Sequence, residues 1–252
     1  MKGYLESHMP NPFLSIVVPT YNEESRIELT LSEIVRHLNT KDYQWEILIS
    51  NDGSTDRTQS VVYRLIETWD VPLRLLNLSH RGKGWAVRHG MLAATGEYRF
   101  MADADLAMPI EQLDMFLNHM EMGYDIVIGS RQVSGSKRYS EPVLRHCMGR
   151  IFNWAVKLLA IGEFQDTQCG FKCFRSDIVE TLFHSQQING FGFDPEVLYI
   201  AKQLGLRVLE IPITWTHQPS SKVRITRDTF LMLKDILHIG LMRIKRSSQK
   251  SE

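Results

Sequence analysis

The chain has 252 residues, with 29 basic and 29 acidic side chains and 43% hydrophobic residues. That is enough apolar material for one large α/β domain or two small ones, and it excludes collagen-like and disordered classes. No run approaches the roughly 18–20 uninterrupted apolar residues of a membrane-spanning helix, and the polar N-terminus lacks a signal-peptide core, so a cytoplasmic protein is expected.

Residues 1–12 read as a flexible leader. From Phe13 onward, short β-rich runs alternate with segments of helical period. The runs are Phe13–Pro19, Trp45–Ser50, Leu73–Leu78, Tyr98–Ala102 and Asp125–Gly129. Between them the spacing of apolar residues predicts helices over Ser25–Leu38, Asp56–Trp69, Gly84–Ala94 and Ile110–Met120. Such alternation predicts a mostly parallel sheet with helices on both faces. Ligands of open sheets of this kind bind beyond the carboxyl ends of the strands.

Polar loops follow the predicted strands. Pro19-Thr20-Tyr21-Asn22-Glu23 follows the first, Asn51-Asp52-Gly53-Ser54-Thr55-Asp56 the second, Arg81-Gly82-Lys83-Gly84 the third and Asp103-Ala104-Asp105 the fourth. Any one of them suits a turn; four on one sheet edge point to a site. No GxGxxG follows the first strand, and the Lys83 loop lacks the spacing of a P-loop, which disfavours dinucleotide binding and ordinary ATPase chemistry.

Alternation along an extended segment puts Asp103 and Asp105 on one side, where two close carboxylates repel unless a cation lies between them. Mg²⁺ or Mn²⁺ held by one or two carboxylates, with a diphosphate completing the shell, matches hard-cation chemistry; two turn aspartates ahead of Pro109 are the alternative. Lys83 sits between glycines at a predicted helix N-terminus, which suits a diphosphate or, alternatively, a solvated loop. Ser54, Thr55 and Asp56 suit helix capping, which leaves Asp52 to accept hydrogen bonds from a base or ribose. The three cysteines (Cys147, Cys169, Cys173) lack paired CxxC spacing, so reduced thiols and no disulfide are expected.

The zero net charge hides a segregation. From Arg131 to Lys157 there are six basic residues against one acidic, and from Lys222 to Glu252 eight against three. Two basic patches on an acidic body suit an anionic partner; solvated surface charge is the alternative. His146, Arg150, Asn153 and Lys157 fall on one helix face opposite Met148, Ile151, Phe152, Ala155 and Leu159. Near the C-terminus, Phe230, Leu233, Leu237, Leu241 and Ile244 form an apolar stripe, with Lys234, His238, Lys245 and Arg246 elsewhere on the helix. Such helices lie in a membrane interface or pack on a sheet with a wet basic side.

Residues 14–23 (LSIVVPTYNE), 48–56 (LISNDGSTD), 82–84 (GKG), 103–105 (DAD) and 129–131 (GSR) resemble the signature series of family 2 glycosyltransferases with the GT-A fold. Asp166 to Lys172 (DTQCGFK), Phe191 to Asp194 (FGFD) with Glu196 to Ala201, and Ile211 to Thr216 followed by Ser221-Lys222 are similar to the dolichyl-phosphate β-glucosyltransferase branch of the polyprenyl-phosphate hexose synthases. The resemblance covers about residues 13–240 and implies a GT-A catalytic domain over 13–227, followed by a basic amphipathic helix and tail over 228–252.

The same resemblance implies roles. Pro19, Tyr21 and Glu23 line the nucleotide pocket, with Asp52 near the uracil. Lys83 faces the diphosphate, and Asp103 and Asp105 frame the sugar nucleotide and its metal, Asp105 as the more direct ligand. Arg131, Arg145 and Lys222 meet the acceptor phosphate, and Asp194 acts as a base or contacts a sugar hydroxyl. Mannose-transferring relatives carry a glutamine two positions after the second aspartate, where this chain has Ala107, which agrees with the glucosyl branch. The expected activity is inverting transfer of glucose from UDP-glucose to a polyprenyl phosphate at the cytoplasmic membrane face, by a peripheral, monotopic protein that does not bind nucleic acid. The alternatives are another UDP-hexose or GDP-mannose as donor, or a catalytically silent binding module.

Overall fold

The computed structural model describes residues 11–140, 163–218, 231–237 and 239–240. The predicted helical segment around residues 146–159, and with it Cys147 and Arg145, lies outside the described residues, as does Lys222.

The first five strands are β1 (Leu14–Thr20), β2 (Trp45–Asn51), β3 (Leu73–Asn77), β4 (Tyr98–Met101) and β5 (Ile126–Ser130). The helices between them are α1 (Ile27–Leu38), α2 (Thr58–Thr68), α3 (Lys83–Ala93) and α4 (Leu113–Glu121). The predicted helix over Ile110–Met120 divides: extended Pro109 leads into a 3-10 turn at Ile110–Gln112, and α4 continues from Leu113. Beyond β5 come β6 (Lys137–Tyr139), β7 (Lys172–Arg175), α5 (Ser176–Ser185), α6 (Phe193–Gln203), β8 (Val208–Pro212) and β9 (Thr214–Thr216).

Seven strands form one sheet in the order β3-β2-β1-β4-β7-β5-β8, and β6 pairs with β9 in a small second sheet. All neighbours in the large sheet are parallel except β7, which runs antiparallel to both β4 and β5. The parallel sheet expected from the βα alternation is therefore present, with one reversed strand, the fifth of seven, in its interior.

Period-two alternation decides which helices each face receives. Leu14, Ile16 and Val18 of β1 and Ile47 and Ile49 of β2 bury against α1 (Ile27, Leu31, Ile34), α2 (Val62, Leu65) and α4 (Leu113, Phe116, Leu117). Val17, Leu48, Met101, Ile126 and Ile128 point the other way, against α3 (Val87, Met91), α5 (Val179, Leu182, Phe183) and α6 (Val197, Leu198). Ile236 and Ile239 of the C-terminal helical segment are fully buried in this second cluster, whereas Leu231, Leu233 and Leu237 are exposed. Leu233 and Leu237 lie on the predicted apolar stripe and face away from the sheet; a pair of isoleucines anchors the segment. Cys169 and Cys173 are free and buried, and burial raises both thiols above their ordinary value.

Because β1, β2, β3, β4 and β5 are parallel, their carboxyl ends share one edge. The start of β7 joins them there, since Lys172 stands opposite Met101 of β4 and Ile128 of β5.

Candidate active site

The loops after β1 and β2 are latched together. Asn22, in a left-handed conformation at φ 55°, accepts through Oδ1 from the backbone N–H of Thr55 and Asp56, at 2.8 and 3.3 Å, and donates its own N–H to Ser54 Oγ at 2.9 Å. Asp56 Oδ1 accepts from Thr58 N–H at 2.9 Å in the first turn of α2. The N-cap of α2 is Arg57, without a side-chain cap; Asp56 bonds the first turn from one position earlier, while Ser54 and Thr55 tie two loops together.

Asp52 differs from the sequence expectation. Its side chain is buried and not available to accept from a base or ribose: it takes the N–H of Arg81 at 2.8 Å, that of Gly82 at 2.9 Å, and His80 Nδ1 at 2.7 Å. The physical reason is local. Gly82, at φ 121°, turns the chain so that two consecutive N–H groups point back at β2, and a buried carboxylate is stabilised by such donors. His80 in turn stacks on Tyr21, with ring centroids 4.1 Å apart and planes 16° from parallel. Glu23 pairs with Arg26 at 2.6 Å, and Pro19 is buried within β1. Tyr21, Glu23 and Asp52 are thus brought to one end of the sheet, with Asp52 acting through the turn it shapes.

Lys83 opens α3, and its Nζ lies 2.6 Å from Asp103 Oδ1. Burial works against the ammonium, but Asp103, Asp194 and Asp105 outweigh it and hold the lysine above its ordinary pKa. Asp105 accepts the Ala107 N–H at 3.1 Å. Burial and the neighbouring Asp103 carboxylate raise its pKa. Asp103 packs against the chain at Gly170, where an added Cβ would stand 1.8 Å from Asp103 Oδ2. Only glycine leaves room for that carboxylate.

Asp194, expected from sequence to act as a base or to contact a sugar hydroxyl, lies in the first turn of α6. It is buried and ion-paired with Lys172, whose Nζ also donates to the Cys169 carbonyl. Burial raises the Asp194 pKa even with Lys172 and Lys83 acting to lower it. Its Oδ1 is thus committed to Lys172, whose ammonium it positions.

Arg131 follows β5 and is clamped by Asp166: Nε donates to Oδ2 at 2.7 Å and Nη2 to Oδ1 at 2.8 Å, and the Arg131 N–H adds a third bond at 2.9 Å. Its guanidinium stands 5.5 Å from the centre of the Trp215 ring. Asp166 is fully buried; burial would raise its pKa, but the Arg131 charge and hydrogen bonds outweigh this and hold it below the ordinary aspartate value. Its ionisation therefore adds stability above the unfolded-state pKa of about 3.9, and that contribution disappears as the pH falls through the depressed folded value. Asp166→Asn is expected to lower stability by roughly 2 kcal/mol at pH 7. Urea denaturation across a pH series should show the gap between variant and parent closing below about pH 4.

His80, Asp166, Gly170, Lys172 and Trp215 received no individual role from sequence. The signals present were a lysine inside the apolar run Gly170 to Phe174 and an aspartate heading a polar turn; neither reveals its partner, which is distant in sequence.

Among the described residues no group of three or more His, Cys, Asp or Glu side chains is arranged to hold a metal ion. The site offers two carboxylates, Asp103 and Asp105, and the first already holds a cationic ammonium. That oxygen-only pair fits a hard divalent cation that takes its other ligands from phosphate and water. It does not fit a site that must close around the ion with protein ligands alone.

The glycosyl transferase family 2 model matches residues 15–183. Dolichyl-phosphate beta-glucosyltransferase from Dictyostelium discoideum is 34% identical over 93% of this chain and 78% of its own length. The Saccharomyces cerevisiae protein of that name is 34% identical over 94% and 78%. The human one is 32% identical over 92% and 76%. Among solved structures, glucosyl-3-phosphoglycerate synthase from Mycobacterium tuberculosis, in complex with Mn²⁺, UDP-glucose and phosphoglyceric acid, superposes with a TM-score of 0.68 at 16% identity, over 91% of this chain and 80% of that one. That likeness establishes the GT-A-like fold. The family model and the sequence relatives make the chain a glycosyltransferase that belongs to glycosyl transferase family 2, among the relatives of the dolichyl-phosphate beta-glucosyltransferases.

Proposed function

We propose that the chain transfers glucose from UDP-glucose to a polyprenyl phosphate of the dolichyl type, with inversion at the anomeric carbon and with Mg²⁺ or Mn²⁺ at Asp103 and Asp105. The observation that carries this reading is the Lys83, Asp103 and Asp105 cluster at the carboxyl edge of the sheet, in a chain whose relatives bear that activity in their names. A divalent ion there would supply charge neutralisation for the departing diphosphate.

The remaining chemistry belongs to side chains of this protein. A phosphate monoester has a second pKa of about 6, so the acceptor oxygen is already largely anionic at neutral pH and needs no strong base. This agrees with Asp194 being buried in an ion pair. Rate enhancement then rests on alignment of that oxygen with the anomeric carbon and on Lys83 receiving the diphosphate at the start of α3. Arg131, held rigid by Asp166, is assigned to the acceptor phosphate, and the Tyr21–His80 pair to the nucleobase end. Arg145 and Lys222 remain assigned to the acceptor by resemblance alone.

The deciding experiment is incubation of the protein with membranes and a panel of labelled UDP- and GDP-sugars. Label from UDP-glucose is expected in the lipid phase. Label entering only from GDP-mannose or another UDP-hexose would overturn the donor assignment, and no lipid label from any donor would overturn the acceptor.

A monotopic association with the cytoplasmic face of a membrane completes the reading. Among the described residues no helix is long and apolar enough to cross a membrane, and the exposed Leu233 and Leu237 supply an apolar stripe one helical turn long. The double substitution Leu233→Glu and Leu237→Glu leaves the buried Ile236 and Ile239 in place. Its flotation with anionic liposomes is expected to fall several-fold, while its melting temperature stays within a few degrees of the parent.

A further inference from the structure

The Asp103 carboxylate has little room to choose its partner. An added Cβ at Gly170 would lie 1.8 Å from Oδ2, 2.3 Å from Cγ and 2.5 Å from Oδ1, so the whole group rests on the backbone that leads into β7. On its other side is the Lys83 ammonium, 2.6 Å from Oδ1. Lys172, the second ammonium of the cluster, is committed to Asp194 and the Cys169 carbonyl. Two ammonium groups thus serve three carboxylates, Asp103, Asp105 and Asp194. Asp105, which accepts the Ala107 N–H, lies beside Asp103 and shares the fields of Lys83 and Arg26.

A divalent cation held by the Asp103 carboxylate would stand beside the Lys83 ammonium, and like charges that close repel strongly even at the moderate effective dielectric of a protein surface. Lys83 therefore has to leave Asp103 before the ion arrives. What draws it away must be anionic and must lie near the N-terminus of α3, because Lys83 is the first residue of that helix. A diphosphate meets both conditions, since it gains from the lysine and from the helix end together.

We infer that Lys83 is an exchangeable counter-ion for Asp103. It neutralises the carboxylate until a nucleoside diphosphate takes the ammonium, and Asp103 then accepts a divalent cation, so that metal binding is gated by nucleotide. The inference rests on the proposed assignment of Asp103 and Asp105 as cation ligands, and adds to it an order of events and a second duty for Lys83. No covalent step is involved; one ion pair is exchanged for two.

The test is Mn²⁺ binding to the full chain without nucleotide, followed by the electron paramagnetic resonance signal of free Mn²⁺, at 0.15 and 0.5 M salt. Lys83→Met is expected to bind Mn²⁺ about tenfold more tightly than the parent, and to keep that gain at high salt because a contact pair is screened far less than distant charges. Lys83→Gln should repeat the gain with a polar side chain, and Lys83→Arg should stay near the parent. Unchanged or weaker binding in both neutral variants overturns the exchange, as does a gain that vanishes at 0.5 M salt. The parent with UDP present separates the two levels of the argument. If it binds Mn²⁺ while the neutral variants show no gain, only the exchange fails. If Mn²⁺ binds neither the parent with UDP nor any variant, the metal assignment fails and takes the exchange with it.

Discussion

Lys172→Met is expected to lower the stability of the protein by about 3–5 kcal/mol, the cost of leaving a buried carboxylate without its cation. Lys172 and Asp194 are both almost wholly buried and are paired with each other, and the lysine also donates to the Cys169 carbonyl. At roughly 2–4 °C per kcal/mol for a chain of this size, the melting temperature should fall by about 10 °C. The double variant Lys172→Met, Asp194→Leu should recover much of the loss, because two apolar groups of similar volume carry no desolvation penalty. Calorimetry on the parent, the single variant and the double variant checks this. A single variant within about 1 kcal/mol of the parent would show that the pair contributes little, and no recovery in the double variant would place the cost in packing instead of charge.

The second large effect is on chemistry. Asp105→Asn keeps the size of the side chain and its ability to accept the Ala107 N–H, but removes one of the two negative charges offered to a divalent cation. Transfer is expected to fall about 10³-fold, in the range found when one electrostatic contact to a developing charge is removed. Titration of UDP with and without Mn²⁺ should show that the metal no longer strengthens nucleotide binding. Folding should be little affected, because Asp105 carries an ionisation that burial and Asp103 already disfavour. If the variant retains metal-dependent UDP binding, Asp105 is not a ligand.

The first half of the fold was legible because it obeys local rules. Strands such as Ile16–Val18 are continuous apolar runs buried on both faces, and the helices between them repeat apolar residues at helical spacing. From β1 to β5 the predicted boundaries differ from the observed ones by two residues or fewer, apart from Ile110–Gln112, where the extended Pro109 leads into a 3-10 turn. Strand β7 was not legible in this way. It has four residues, two of them charged, and what makes it a strand is pairing with β4 and β5, which lie far away in sequence.

The site divides along the same line. Lys83, Asp103 and Asp105 stand at strand ends where carboxylates and glycines are conspicuous, and the structure brings them together. The surroundings of Asp52 and Asp194 were not legible, because each is fixed by a partner distant in sequence, His80 with the turn it begins and Lys172 respectively. A carboxylate's identity is visible in sequence; whether it is already satisfied is not.

The reversed interior strand also bears on how the chain folds. The block β3-β2-β1-β4 pairs among residues 14–101, and its parallel crossovers are each closed by a helix that is next in sequence. Among the described residues, the other half of the sheet pairs with that block only through β7, since β4 pairs with Lys172–Arg175 and β5 with the other side of the same strand. Contacts of such long sequence separation form late and slowly. On a ribosome, the amino-terminal block is thus expected to reach protease resistance first, and the β7-β5-β8 half only after residue 175 has emerged and joined the two.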